Sequence, residues 1–96
     1  MLHLIFQSPV ETAILERIDA DDAVVFMGHS VLRTLARGSL ADKLPSMAES
    51  RRFYVLSDDI ASRGIDREAL IGGLEVIEYS GLVALAVDHR VIQSWY

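Results

Sequence analysis

Residues 23–27 read Ala-Val-Val-Phe-Met, five apolar residues in a row that are followed by Gly28. A continuous apolar run of this length, rich in Val and Phe, is typical of a parallel strand that is buried on both faces. The acidic turn Asp19–Asp22 precedes the run, and the glycine ends it. This segment therefore predicts a parallel sheet with cover on both sides.

Four further segments have strand patterns, and they are Leu2–Phe6, Phe53–Leu56, Leu74–Tyr79 and Val91–Trp95. The last alternates apolar and polar residues, which is typical of an edge strand. Helical patterns separate the strands. Strand–helix alternation predicts a single α/β domain over residues 1–96, an open, mostly parallel sheet of about five strands with helices on both faces.

Five segments have helix patterns, and they start at Ser8, Ser30, Ser39, Ser57 and Ser80. The first four of these serines are predicted N-caps, because a serine hydroxyl accepts a hydrogen bond from a free backbone N–H. Glycines predict the ends of two of these helices, at positions 38 and 64. The first helix extends to position 18, and the last extends to position 89.

The composition indicates a globular protein with an apolar surplus. The chain has 96 residues, of which 51% are hydrophobic and 24% are charged. Mean hydropathy is +0.28, which is high for a small domain with much surface to cover. The surplus suggests that another subunit covers part of the surface.

Charge and residue usage exclude several classes of function. A net charge of −5 counts against direct contact with nucleic acid or an anionic membrane. The chain has no cysteine, so it has no disulfide, no thiolate nucleophile and no persulfide of its own. No cofactor motif and no metal-ligand spacing is present. The longest apolar run has six residues, against about 20 for a membrane span, so we expect a cytoplasmic chain.

The turn Gly28-His29-Ser30 is a candidate ligand site. A glycine between a strand and a helix N-terminus is where an open α/β sheet would bind an anion. The turn lacks both the dinucleotide fingerprint and the P-loop pattern. A tight turn with a serine cap also explains the pattern, and we favour that simpler interpretation.

The histidines and the paired carboxylates have structural interpretations. His3 is expected as a strand residue and His89 as a cation at a helix C-terminus. Asp21 and Asp22 are expected as solvated turn charge. Asp58 and Asp59 are expected in a first helical turn, where the helix dipole favours negative charge. We assign no catalytic residue.

The segment Leu82–Val87 and the end of the chain are candidate interface residues. A helix that is apolar in every direction is buried in every direction, and one sheet covers only one side of it. The candidate interface residues are Leu82, Val83, Leu85, Val87, Trp95 and Tyr96. For the two terminal aromatics, packing on the chain's own core is an equal alternative.

The chain resembles the DsrH/TusB family of sulfur-relay proteins nearly from end to end. The resemblance rests on three segments. These are Met1-Leu2-His3 with Ser8-Pro9; Tyr54-Val55-Leu56 with Asp59 and Arg63-Gly64; and Ile77-Glu78-Tyr79 with Val83, Leu85, Val87, His89 and Trp95-Tyr96. The central segment and the Trp ending at this chain length are the most specific parts.

The resemblance implies a DsrE/DsrF/DsrH-like fold and a place in a heterohexamer. Such complexes contain TusC/DsrF-like and TusD/DsrE-like subunits and pass persulfide sulfur to a TusE/DsrC-like carrier. In the Tus branch the sulfur reaches 2-thiouridine at the tRNA wobble position, and in the Dsr branch the complexes serve sulfur oxidation. The relay cysteine of the TusD/DsrE-like subunit falls at about Leu56–Ser57 here, and neither residue can form a persulfide.

The sequence therefore predicts a non-catalytic subunit of a sulfur-relay complex acting in tRNA 2-thiolation. Two alternative functions remain open for this chain. It could be a DsrH-type subunit in sulfur oxidation, or a stand-alone domain that binds a small ligand or anion at Gly28–Ser30. An independent enzyme is the weakest hypothesis, because the chain has neither Cys nor a recognisable catalytic triad.

Overall fold

The computed structural model describes residues 1–6, 15–35, 44–47 and 51–95. Five strands form one sheet, and they are β1 (Leu2–Ile5), β2 (Ala23–Phe26), β3 (Arg52–Leu56), β4 (Leu74–Ile77) and β5 (Ile92–Trp95). Their order is β4-β3-β2-β1-β5, and every neighbouring pair is parallel. The predicted open parallel sheet of five strands is confirmed, including the position of the last strand at an edge.

The described helical segments lie between these strands. They are a 3-10 helix (Gly28–Thr34), α1 (Leu44–Met47), α2 (Ser57–Ser62), a short 3-10 helix (Arg67–Ala69) and α3 (Tyr79–Asp88). Residues 15 and 16, the described end of the first predicted helix, are also helical. The predicted helix starts at Ser8 and Ser39 and the predicted end at Gly38 lie outside the described residues.

The sheet has an apolar cluster on each face, which is why β2 has no polar residue. One cluster includes Val24 and Phe26 of β2, and the ring of Phe26 lies 6.2 Å from that of Phe53. The other includes Ala23 and Val25. All four side chains of β2 are fully buried, as the run of apolar residues predicted. Helices on both faces are confirmed, since α2 contributes Ile60 to the first cluster and α3 contributes Leu82 to the second.

Two predicted serine caps are wrong. The segment that begins at Gly28 is a 3-10 helix, and Ser30 is its third residue rather than the residue before it. The Ser30 hydroxyl lies 2.5 Å from the carbonyl oxygen of Ile5 and 3.1 Å from the backbone nitrogen of Met27. Ser30 therefore bonds the backbone of the N-cap residue from the third helical position and also bonds the end of β1, but it is not itself the N-cap. Likewise, Leu56 precedes α2, and Ser57 is the first helical residue.

Gly64 ends α2 as predicted, and its backbone conformation explains why a glycine stands there. Its φ is +68°, its N–H bonds the carbonyl of Ala61, and the N–H of Ile65 bonds that of Ile60. These two bonds form a Schellman motif, which requires a left-handed residue. Asp58 and Asp59 lie in the first turn of the same helix, as expected.

We expect Gly64→Ala to lower the free energy of unfolding by about 1 kcal/mol, because a Cβ is unfavourable in the left-handed region. No atom lies within 4 Å of the added Cβ, so backbone conformation alone sets the loss. Gly72→Ala is the matched control, because its Cβ also meets open space and its φ is not left-handed. Urea unfolding of both variants is the measurement. Equal stability of the two would contradict this account of the helix end.

Within the described part of the chain, no helix has the length and apolar character needed to cross a membrane.

Candidate functional site

The turn Gly28-His29-Ser30 lies where β2 ends, at the carboxyl-terminal edge of the sheet. Gly28 has a φ of +56°, His29 is exposed, and Ser30 is fully buried. The structure therefore places the three residues as the sequence suggested, but it directs only the His29 side chain to solvent. The hydroxyl of Ser30 is already hydrogen-bonded to backbone atoms of Ile5 and Met27.

The backbone N–H of Gly28 already has an anionic partner. It donates to Oδ2 of Asp59 over 2.8 Å, from the first turn of α2. Arg63 approaches the other oxygen of that carboxylate at 3.9 Å. An external anion at this turn would have to displace the carboxylate of Asp59. Anion binding at Gly28–Ser30 stays a prediction, and the geometry gives it no added support.

A buried ionic network lies at the opposite edge of the sheet, around Asp22. Asp22 and His3 are almost fully buried, at 8% and 1% exposure. The carboxylate lies 2.9 Å from Nε2 of His3, 3.0 Å from the α-amino nitrogen of Met1 and 3.0 Å from the backbone nitrogen of Asp19. The expectation that Asp22 is solvated turn charge is therefore wrong, whereas Asp21 is exposed.

Hydrogen bonding determines the protonation state of Asp22. Burial by itself would raise the pKa of this carboxyl. The bonds from His3, the amino group of Met1 and the N–H of Asp19 outweigh that effect and lower the pKa from 3.8 to about 2. Asp22 is consequently ionised at neutral pH. It fastens the start of β1 to the turn that precedes β2.

The other side of His3 contacts β5. The indole N–H of Trp95 donates to Nδ1 of His3 over 3.2 Å, and the two rings are nearly parallel, with an interplanar angle of 20°. The guanidinium of Arg17 lies 5.8 Å from the centre of the indole ring. Trp95 thus packs on the chain's own core, which was one of the two expectations for it. Tyr96 lies outside the described residues.

Helix α3 divides the predicted interface residues between two directions. Leu82 is buried, and Leu85 packs with it against the sheet. Val83 and Val87 point away from the sheet and are 52% and 79% exposed. Together with Tyr79, which is 63% exposed, they form a line at intervals of four residues. We call Tyr79, Val83 and Val87 the outer stripe of α3.

Two further exposed apolar residues follow α3, at and just before the start of the edge strand. Val91 and Ile92 are 53% and 46% exposed. β5 is the last strand in the sheet order, so in the described part of the chain its outer edge pairs with no strand. Unpaired strand edges and exposed apolar side chains are both features of protein contact sites.

A shallow depression of about 390 Å³ lies beside the start of α2. Ser57, Asp58, Asp66 and Glu68 line it, with Arg67 as the one basic residue among its lining side chains. The lining of the depression thus has three carboxylates and one guanidinium, so its side-chain charge is net negative.

His89 follows α3 directly, as predicted, and its Nδ1 lies 2.7 Å from the carbonyl oxygen of Leu85. Its Nε2 lies 3.4 Å from the guanidinium of Arg52. Across the residues that the structure describes, no group of three or more His, Asp or Glu side chains could hold a metal ion.

Comparison with known proteins assigns the chain to a family. A family model described as DsrH like protein matches residues 7–92. The chain belongs to the DsrH family. Two proteins named TusB resemble this family member from end to end. The one from Pectobacterium parmentieri is 31% identical over 98 residues, which cover 99% of this chain and 100% of the relative. The one from Pectobacterium carotovorum subsp. carotovorum (strain PC1) is 30% identical with the same coverage.

A solved structure shares the fold of this DsrH family member. It is that of the protein of unknown function MTH1491 from Methanobacterium thermoautotrophicum, with a TM-score of 0.77. The match covers 97% of this chain and 95% of the other at 13% sequence identity. At that identity the likeness concerns the fold alone.

Proposed function

We propose that this chain is a non-catalytic subunit of a heterohexameric sulfur-relay complex that delivers persulfide sulfur for 2-thiolation of the tRNA wobble uridine. The observation that carries the proposal is the combination of DsrH family membership over residues 7–92 with the absence of any cysteine. Sulfur relay by persulfide needs a thiolate on each carrier. A member without one can serve the complex only through contacts.

The relatives named TusB favour the tRNA branch over sulfur oxidation. The partners in this proposal are TusC/DsrF-like and TusD/DsrE-like subunits, with a TusE/DsrC-like carrier reached through them in the cytoplasm. The net charge of −5 agrees with a subunit that does not itself touch tRNA.

The outer stripe of α3 supports the proposal from the structure. It exposes one aromatic and two aliphatic side chains, with no charged residue inside it. Interface centres are depleted in charge and enriched in aromatic residues. Because Leu82 and Leu85 bind α3 to its own sheet, a partner would meet Val83 and Val87.

We expect the tagged full-length chain to co-purify from its own organism with two small α/β proteins, one of them with a cysteine just before an Arg-Gly pair. Mass spectrometry of the purified complex is the measurement. In the same organism, deletion of the gene should lower 2-thiouridine in tRNA, and a plasmid copy should restore it. Normal thiolation after deletion would rule out the tRNA role, and recovery of the chain alone would rule out the complex.

A further inference from the structure

His3 connects three parts of the chain that are far apart in sequence. It lies in β1, its Nε2 contacts Asp22 before β2, and its Nδ1 contacts Trp95 in β5. The residue separations are 19 and 92. The ring is 1% exposed, so water does not compete for either nitrogen.

The two contacts require one protonation state of the imidazole. The indole nitrogen of Trp95 is only a donor, so Nδ1 of His3 must accept. In a neutral imidazole the proton is then on Nε2, where it donates to the carboxylate of Asp22. A protonated imidazole would keep the bond to Asp22. Its Nδ1–H would, however, oppose the indole N–H at 3.2 Å.

We propose that the His3–Trp95 contact is a proton-sensitive device, which holds β5 against β1 when His3 is neutral and releases the Trp95 side chain when His3 is protonated. The inference concerns the isolated chain and does not depend on the proposed function.

Among the residues that the structure describes, three charged groups lie around His3 and its partners. Asp22 faces His3 from the turn before β2, and with a pKa of about 2 that carboxylate is charged at neutral pH. The amino group of Met1 lies on the far oxygen of Asp22. The guanidinium of Arg17 lies over the ring of Trp95, which is the partner of His3 on the side away from Asp22. From β5, the residue that pairs with His3 is the neutral Gln93.

The device acts on a strand that has few other anchors. β5 bonds only β1 within the described sheet, for example through the Phe6 N–H to the Trp95 carbonyl at 2.9 Å. Ile92 and Gln93 are exposed, and Ser94 and Trp95 are half-buried. Loss of the indole bond therefore removes a side-chain tie between β5 and β1 and leaves the backbone pairing of the two strands to hold β5 alone.

The single tryptophan of the chain makes the test direct. We would follow the Trp95 indole N–H resonance and the hydrogen exchange of β5 amides, relative to β2 amides, from about pH 8 to pH 5. The full-length protein is compared with His3→Asn, which keeps an acceptor near the position of Nδ1 and cannot titrate. A double variant, His29→Asn with His89→Asn, keeps His3 as the sole histidine.

In the unsubstituted chain and in the double variant, we expect the indole resonance to shift and the relative protection of β5 to fall about tenfold as the pH falls, the equivalent of one hydrogen bond. In His3→Asn neither should change. Trp95→Phe keeps an aromatic ring without the donor, so it should show low β5 protection at every pH, and it replaces His3→Asn if that variant does not fold. The proposal would be overturned if the double variant lost the pH response of the unsubstituted chain. It would also be overturned if His3→Asn or Trp95→Phe showed the same pH response of β5 protection as the unsubstituted chain.

Discussion

Asp22→Asn is expected to lower the free energy of unfolding by about 3 kcal/mol, because it removes a largely buried carboxylate that accepts three hydrogen bonds. The carboxylate accepts bonds from His3, the amino group of Met1 and the N–H of Asp19. An asparagine has one acceptor oxygen and an amide that would face one of these donors. For a domain of this size the loss equals roughly 15 °C in Tm. Thermal unfolding at pH 7 is the measurement.

Asp21→Asn is the matched control, since it is the same substitution one residue away. Asp21 is exposed and has a φ of 72°, a conformation that asparagine adopts readily. Its stability should change by less than about 0.5 kcal/mol. If both variants lost the same stability, the network around Asp22 would not be the reason.

The same network predicts how stability depends on acid. The pKa of Asp22 is about 2 in the folded chain, against an ordinary value of 3.8. A carboxyl whose pKa is lowered by folding stabilises the fold above its ordinary pKa, and this stabilisation is lost as the pH falls from about 4 towards 2. About 2 kcal/mol of the difference in free energy of unfolding between the unsubstituted chain and Asp22→Asn comes from this ionisation. This difference should therefore become smaller as the pH falls over that interval.

The second large effect is expected at the outer stripe of α3. A double variant, Val83→Asp with Val87→Asp, should weaken binding of the partner subunits at least about 100-fold, the equivalent of about 3 kcal/mol. Two buried apolar contacts are lost, and two carboxylates would enter an apolar interface without partners. Because both side chains are exposed in the isolated chain, its own fold should remain. Co-purification of partners and circular dichroism of the variant are the measurements.

Leu32→Asp is the control for this substitution. Leu32 is 44% exposed, and its 3-10 helix packs on the other face of the sheet through Val31. The Leu32→Asp substitution also replaces an exposed aliphatic side chain with a carboxylate, but at a position away from α3. Partner binding should therefore not change. Undiminished binding of the Val83 and Val87 variant would show that partners do not contact the outer stripe.

The sequence was sufficient to predict the sheet, because its strands are short segments rich in apolar residues that lie between turn residues and helical patterns. Residues 23–27 predicted β2 to within one residue, and Val91–Trp95 predicted β5 equally well. The type of helix after β2 could not be predicted. The hydroxyl of Ser30 bonds Ile5 in a neighbouring strand, and this contact exists only once β1 and β2 are paired.

The ionic network was missed for a similar reason. Asp22 looked like any acidic turn residue, since its partner His3 lies 19 residues earlier. Only the register of the sheet places Trp95 opposite Ile5 and on the same face as His3. The apolar character of α3, by contrast, was visible in the sequence. What the sequence could not show was which of its residues the sheet would cover, and the structure assigns Leu82 to the sheet and Val83 to the surface.

The position of β5 beside β1 has a consequence for the order in which the chain folds. Leu2 pairs with Ile92, so the interior strand β1 needs a neighbouring strand that lies about 90 residues later in the chain. During synthesis β1 can join β2 early, but its other edge stays open until residues 92–95 leave the ribosome. A growing chain thus exposes backbone donors and acceptors beside Leu2 and Leu4 for most of its translation, which is the interval when strand edges are most prone to join other nascent chains.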